Sequence, residues 1–362
     1  MSDQLELDQL RTSFREVLDR ECDRARVLEH IATGKPRSEA LWKLAGELGW
    51  PMLSIPGEEG GVGLGIDALC VLYRELGRSL APLPLLGGML GIDLLTRGAS
   101  NHQRCDWLPR IADGGVAVAV STPTPWAAPT VTLRIEAETA ILDGTAMNVL
   151  DAPASEVLII SCTDASGAQR RALIDVAADG AEILSTPPTD QTRSLGHVVF
   201  NCIAVPRHRV LEDAGAALEA HLTVHAALAI ACDAIGGAEA CLKMTLDYLK
   251  TRQQFGRLIG SFQALKHRCA DHQSALVAAT ALLDAAIVQV SGGGGELDAL
   301  LVKAYACEVY ARIAQDSVQM HGGIGFTWEH SCHLFLKRAK LNQVIFGSRE
   351  QLLDRSAGIM GS

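Results

Sequence analysis

The chain has ten cysteines but no CxxC pair, no excess of basic residues, no internal repeat and no extended low-complexity segment. Without paired spacing, the cysteines from Cys22 to Cys332 fit neither a metal ribbon nor a disulfide framework. Most lie in apolar helical patterns such as Ala229–Cys232 and Ala304–Cys307, which predicts buried free thiols. A net charge of −10 disfavours nucleic acid or an anionic membrane as a general partner, so an anionic ligand must be held by local arginines. Residues Met1–Leu10 are polar and acidic where a secretion signal needs a basic end and an apolar stretch, and the expectation is a reducing cytoplasm. No apolar run reaches the roughly 18 uninterrupted residues of a membrane span. The most apolar candidate, Leu80–Leu95, is broken by Pro82, Pro84 and Asp93.

What is present is apolar residue in quantity. A chain of 362 residues with 48% hydrophobic content suits two or three domains. Its mean hydropathy of +0.17 predicts an oligomer in which partner subunits cover some apolar surface. Helical spacing recurs at Leu7, Leu10, Phe14, Val17 and Leu18, and again over Ser38–Leu48 and Ile66–Leu80. The glycines from Gly57 to Gly65 follow no strand and lack the dinucleotide-binding spacing, so they read as a structural turn. From Val116 to Leu211 the pattern shifts to short β-branched runs, Val116–Val120, Val131–Ile135, Val157–Ser161 and Val198–Val205, punctuated by Gly, Pro and Asp. Long helical patterns then resume at Ala216–Lys250, Phe262–Val290, Leu297–Met320 and Ser331–Arg355, with Gly292–Gly295 as a turn, which predicts a four-helix bundle. The expected organisation is α+β: an N-terminal helical domain (1–115), a middle β-barrel or sandwich domain (116–213) and a C-terminal bundle (214–362).

Two segments carry a more specific signal: Thr251-Arg252-Gln253-Gln254-Phe255-Gly256, and Gln319-Met320-His321-Gly322-Gly323-Ile324-Gly325-Phe326. With Leu41–Trp50, Gly60–Leu64, Trp107–Gly114, Asp190–Arg193 and Val205-Pro206, they make nearly the whole chain similar to the acyl-CoA dehydrogenase family. The resemblance implies FAD as cofactor. It also implies that Arg252, Phe255, Gln319, Gly322 and Gly323 meet the ADP half of an FAD bound mainly by a neighbouring subunit. The chemistry agrees, because a pyrophosphate suits a planar guanidinium and glycines that let backbone approach. Alone, Arg252 reads as a solvated charge favoured by a helix dipole; the second motif gives it a role.

Other family features are missing. Where relatives carry a TEPGxGSD segment at the flavin and substrate, this chain reads Ser121 to Pro129; the expected donors are largely replaced, with Thr122 as the candidate to donate one hydrogen bond and a surface turn as its blander reading. Where relatives place an aromatic-ITN strand against the flavin ring, it reads Asn148-Val149-Leu150-Asp151. The reaction needs a base for the proton next to the thioester carbonyl, and relatives use a glutamate at one of two places. Those places are occupied here by Phe346 and by Ala226 in the pair Ala226-Ala227. A positioned base supplies about 10² to 10⁴ in rate. His225 precedes the second vacancy, but one residue along a helix turns a side chain by about 100°, and a buried or interface histidine is the blander alternative. Glu329-His330-Ser331-Cys332-His333 lacks HExxH spacing, so no metal is expected.

The resemblance therefore points to the base-free subunit of a hetero-oligomeric acyl-CoA dehydrogenase of the steroid side-chain type. Its implied partners are a homologous sister chain, a CoA thioester and an electron-accepting flavoprotein. The rival expectations are a stand-alone homo-oligomeric dehydrogenase with an unusual base and a non-catalytic scaffold.

Overall fold

The computed structural model describes residues 2–121, 128–212 and 214–361. Six helices open the chain: α1 (Ser2–Glu21), α2 (Arg24–Thr33), α3 (Glu39–Glu47), α4 (Ile66–Ser79), α5 (Leu85–Gly98) and α6 (Asn101–Ala112). Local chemistry sets several of their starts. Ser38 caps α3 by accepting from the Leu41 N–H, and Ser100 and Gln103 form a reciprocal capping box at α6.

The middle of the chain is one seven-stranded mixed sheet: β1 (Val118–Val120), β2 (Val131–Glu136), β3 (Thr139–Leu150), β4 (Val157–Asp164), β5 (Gln169–Asp175), β6 (Glu182–Thr186) and β7 (Leu195–Pro206), with the short helix α7 (Val176–Asp179) after β5. The order is β1-β4-β2-β3-β7-β6, with β5 also pairing β4. One edge of β4 takes β1 and then β2 in parallel, and the other takes β5 antiparallel. Its core gathers Leu133, Leu142, Val149, Leu158, Ile160, Ile174, Val198 and Phe200. Four strands match the β-branched runs of the sequence; β3, β5 and β6 do not. In β3 two register shifts disrupt the alternation, β5 opens with Gln169-Arg170-Arg171, and β6 is a largely exposed edge strand.

The C-terminal part comprises α8 (Ala216–Thr251), the two-residue strands β8 (Gln253–Gln254) and β9 (Arg257–Leu258), α9 (Gln263–Ser291), α10 (Glu296–His321), α11 (Cys332–Asn342) and α12 (Arg349–Gly361). The expected single helix over Ser331–Arg355 is therefore two. α11 ends at Asn342, Phe346 and Gly347 in the following loop adopt positive φ (52° and 104°) that no helix accommodates, and Ser348 and Gln351 start α12 with a reciprocal cap.

The chain forms two compact units built from separate segments: residues 1–29, 66–81 and 227–362, and residues 30–65 and 82–226. In the first, α4 and α8 cross closely enough that a Cβ at Gly77 would lie 2.2 Å from the Asp233 carbonyl oxygen. The ion pair Arg338–Asp233 (2.8 Å) is buried in the same unit, and Asn342 donates to the other Asp233 oxygen. In the second, Arg171 and Glu219 form a buried pair at 2.6 Å.

All ten cysteines are free, and eight are buried; Cys105 and Cys202 are exposed, which corrects the expectation of burial for those two. Two helices, α8 and α9, are long and apolar enough to cross a membrane by length and composition. They differ in packing, since 89% of the apolar window of α8 is buried and only 22% of that of α9. Leu276, Ala279, Leu283 and Ala286 form the inward stripe of α9, and Val277, Ala281, Ala285 and Val288 form a second stripe at helical spacing that faces outward.

Candidate active site

Where α8 ends, the segment Arg252–Leu258 folds back as a hairpin. Phe255 and Gly256, both at positive φ (53° and 74°), make the turn, and the pairing of Gln253 with Leu258 and Gln254 with Arg257 closes it. Phe255 is 90% exposed. Arg252 is exposed and, among the described residues, makes no ion pair. The second motif ends α10: Gln319 is exposed, Gly322 turns the chain at φ 64°, and the Gly322 N–H donates to the Gln319 carbonyl. A cluster of Leu249, Cys269 and Met320, joined by Ile259 and Leu265, packs the end of α8, the start of α9 and the end of α10 together. That cluster gathers both motifs at one end of the bundle.

The glycines of the second motif divide by environment. A Cβ on Gly325 would meet the Val318 carbonyl oxygen at 2.7 Å, so the fold itself requires glycine there. Around Gly322 and Gly323 a Cβ meets nothing within 4 Å. Packing within the chain requires glycine at neither position; at Gly322 the left-handed backbone does, and at Gly323 neither packing nor backbone does.

The two positions at which the resemblance leads one to expect a base are apolar and buried. Phe346 is 4% exposed, and its loop is held by the buried Lys303, whose ammonium donates to the Gly347 carbonyl. Burial pushes that ammonium down to about 8. Ala226 is fully buried within α8. His225, also buried, has Nδ1 3.0 Å from Asp93 Oδ2, and His221 Nε2 lies 2.8 Å from the same oxygen. Arg97 donates to Asp93 Oδ1 at 2.9 Å. Burial pushes the Asp93 carboxyl up, but the hydrogen bonds from His221 and His225 outweigh it and hold the group far below the usual range. Of the motif expected at the flavin ring, Thr122 lies outside the described residues. Ser121 is buried and accepts from the Ser161 N–H at 2.8 Å, and Asn148 sits in left-handed backbone (φ 51°) with its N–H on His197 Nδ1.

Comparison with known proteins shows the family. The N-terminal domain of acyl-CoA dehydrogenases matches residues 4–115 and their C-terminal domain matches residues 214–360. "Acyl-CoA dehydrogenase IpdE2" of Mycolicibacterium smegmatis is 33% identical over 316 residues, 86% of this chain and 85% of that protein. The protein of the same name from Mycobacterium tuberculosis is 30% identical over 97% of this chain and 96% of its own length. The chain belongs to the acyl-CoA dehydrogenase family. Among solved structures, a variant of the "Tcur3481-Tcur3483 steroid ACAD" superposes with a TM-score of 0.90 at 26% identity, covering 99% of this chain and 98% of that one. The "ChsE4-ChsE5 complex from Mycobacterium tuberculosis" shares the fold, with a TM-score of 0.91.

Sequence reasoning missed three groups of this family member: Asp93, Lys303 and the surroundings of His321. His221 and His225 stand four apart on α8, a visible signal, but Asp93 lies in an apolar segment far upstream. His321 Nδ1 is 2.7 Å from the Ser317 carbonyl, and its ring stacks on Tyr248 with centroids 4.4 Å apart. The His330 ring lies 4.1 Å away. Burial lowers His321; burial, then His321, Arg24 and His333, take His330 to about 4, while burial raises the Cys332 thiol to about 11.

Proposed function

We propose that this chain is the base-free member of a hetero-oligomeric acyl-CoA dehydrogenase, supplying the ADP side of an FAD site to a homologous sister chain that carries the catalytic glutamate. One observation carries this: an open, outward-facing end with Arg252, Gln319, Gly322 and Gly323 coexists with apolar, closed side chains, Phe346 and Ala226, at both base positions.

The residues present fit FAD at the ADP end, where an unpaired guanidinium and two glycines with open space are what a pyrophosphate needs. When bound, FAD supplies the hydride acceptor for α,β-desaturation of a CoA thioester. This chain's own part is to bind and orient. Arg252 offers charge-assisted, potentially bidentate hydrogen bonds, Gly322 and Gly323 admit close backbone approach, Gln319 offers an amide, and exposed Phe255 offers an apolar ring. Neither Phe346 nor Ala226 accepts a proton, and both exclude water from where a base would stand.

A steroid or other bulky CoA thioester is the proposed substrate, supported by the naming of a similar protein as a steroid dehydrogenase with a two-part name. The outward apolar stripe of α9 supports a partner subunit, and ten free thiols support a reducing compartment. An electron-accepting flavoprotein would complete the cycle, and the domains we assign are 1–115, 116–213 and 214–362. Co-expression with the sister chain should give a complex with about one FAD per pair of chains, and expression alone a poorly soluble or nearly colourless product. A soluble yellow homotetramer with FAD in every subunit overturns this assignment.

A second reading has one observation behind it. His225, oriented by Asp93, could act as an unusual base in a stand-alone enzyme. Asp93 is shared with His221 and Arg97, which favours a structural tie between α5 and α8 instead.

A further inference from the structure

We propose that His321, His330 and Cys332 form a site for a thiophilic divalent cation of the zinc class, which ties the end of α10 to the first turn of α11 across the glycine segment. Ligand atoms of these three residues lie within 4.8 Å of one another, the one such group among the described residues. In a tetrahedral zinc site, neighbouring nitrogen and sulfur ligands stand about 3.3 to 3.5 Å apart, so small side-chain rotations close the set.

The tautomer of His321 is fixed by its neighbours. The Ser317 carbonyl can only accept, so Nδ1 carries the proton and donates at 2.7 Å, and the lone pair is on Nε2. That Nε2 is buried without a hydrogen-bond partner, in a residue 4% exposed. A buried acceptor left unused is costly, and a ring held by a carbonyl at its other nitrogen is how histidine ligands are oriented in metal sites. Tyr248 packs against the same ring and limits its rotation.

The other two ligands converge from the start of α11. His330 is half-buried, which leaves a side for a water as fourth ligand, and its Nδ1 accepts only a long 3.3 Å bond from the Cys332 N–H. Cys332 Sγ, fully buried, donates to the Gly325 carbonyl at 3.2 Å. On binding, the thiol S–H breaks, its proton leaves to solvent, and a sulfur–metal bond forms with no change of oxidation state. The guanidinium of Arg24, held on the Glu329 carbonyl nearby, offsets the thiolate charge. Gly322 and Gly323 lie between the clamped ends, so the metal would fix the segment proposed above to meet pyrophosphate.

The test uses the untagged full-length chain, purified reduced and stripped with a chelator, then titrated with Co²⁺. If the chain alone is insoluble, the complex takes its place, and the variants assign the signal. The expected result is about one Co²⁺ per chain with thiolate-to-cobalt charge-transfer absorption, displaced by Zn²⁺. Cys332→Ser should remove that absorption, and His330→Gln should weaken Co²⁺ binding at least about tenfold, the loss that outer-shell changes alone produce. A folded chain that retains no Co²⁺, or an absorption that persists in Cys332→Ser, overturns the proposal. Should Cys332→Ser not fold, unchanged affinity in the half-exposed His330→Gln variant does so.

Discussion

Gly323→Ala separates a glycine kept for the fold from one kept for a ligand. The added methyl meets no atom of the chain within 4 Å, and the backbone there is not in the left-handed region. The flavin-free protein should therefore change in stability by no more than about 0.5 kcal/mol, or gain slightly from a less flexible unfolded chain. If a pyrophosphate approaches that backbone, the same methyl stands in its place, and even partial loss of contact should weaken FAD by about tenfold, roughly 1.4 kcal/mol. Gly325→Ala is the internal control. Its Cβ would lie 2.7 Å from the Val318 carbonyl oxygen, 3.2 Å from His321 Cβ and 3.3 Å from Cys332 Sγ. Overpacking of that kind costs about 1 to 3 kcal/mol, whatever FAD does. Flavin retained per complex after gel filtration, with thermal midpoints of the flavin-free form, reads both terms. A Gly323→Ala protein that is stable and holds FAD as tightly as the parent would refute the placement of the ADP half at this glycine.

Arg252→Ala should weaken FAD retention in the complex by about ten- to a hundredfold, since a charge-assisted contact to pyrophosphate contributes about 1.5 to 3 kcal/mol, and Gln319→Ala should act in the same direction by less; unchanged retention would mark the motif as a relic. Phe346→Glu or Ala226→Glu in this chain should create no dehydrogenation by the chain alone, whereas glutamine for the sister chain's glutamate should abolish turnover with FAD intact. Activity that survives that change and disappears on His225→Ala would place the base in this chain. Lys303, lowered by burial from 10.5 to about 8, binds its proton more weakly folded than unfolded, so its destabilising effect is full below pH 8 and fades as pH rises to 10.5. Between pH 8 and 9 this group should raise stability by about 1 kcal/mol in denaturant titrations, and Lys303→Met should lose that rise; an identical slope in both proteins would count against it.

The sequence carried much of the architecture because long helices announce themselves by period. Patterns over Ala216–Lys250 and Leu297–Met320 became α8 and α10 almost to the residue. The strands it hid are those whose alternation is broken by bulges, as in β3, or which have little burial to encode, as in β6. The break between α11 and α12 was hidden for a different reason: the apolar period continues through a loop whose positive φ at Phe346 is imposed by context, not by composition. The two segments we propose for the ADP end stand out in the sequence because Arg252–Gly256 and Gln319–Gly325 are each contiguous. Asp93 with His225 and Lys303 with the Gly347 carbonyl are contacts between distant segments, and a single sequence holds no record of them; His321 and Cys332 are close in sequence but lack a metal-ligand spacing that marks them.

The outward stripe of α9 bears on why a sister chain and a flavin belong together. Val277 and Val288 of the stripe and Leu282 beside it are each half or more exposed, and covering that exposed part contributes about 1 kcal/mol apiece. That is roughly 3 kcal/mol, below the 4 kcal/mol or more that association costs, so the stripe alone does not hold a dimer. The same unit also exposes Phe255, Phe326 and Trp328, larger rings flanking or within the two motifs. Covering them would supply the missing stabilisation, and under the proposed assignment the sister chain and the ADP half of FAD would cover them together. Each ligand then binds better in the presence of the other by the same factor, because coupling free energy is reciprocal. If the proposed assignment holds, a chain without its own base would still be retained, because its ADP end would stabilise both the flavin and the assembly.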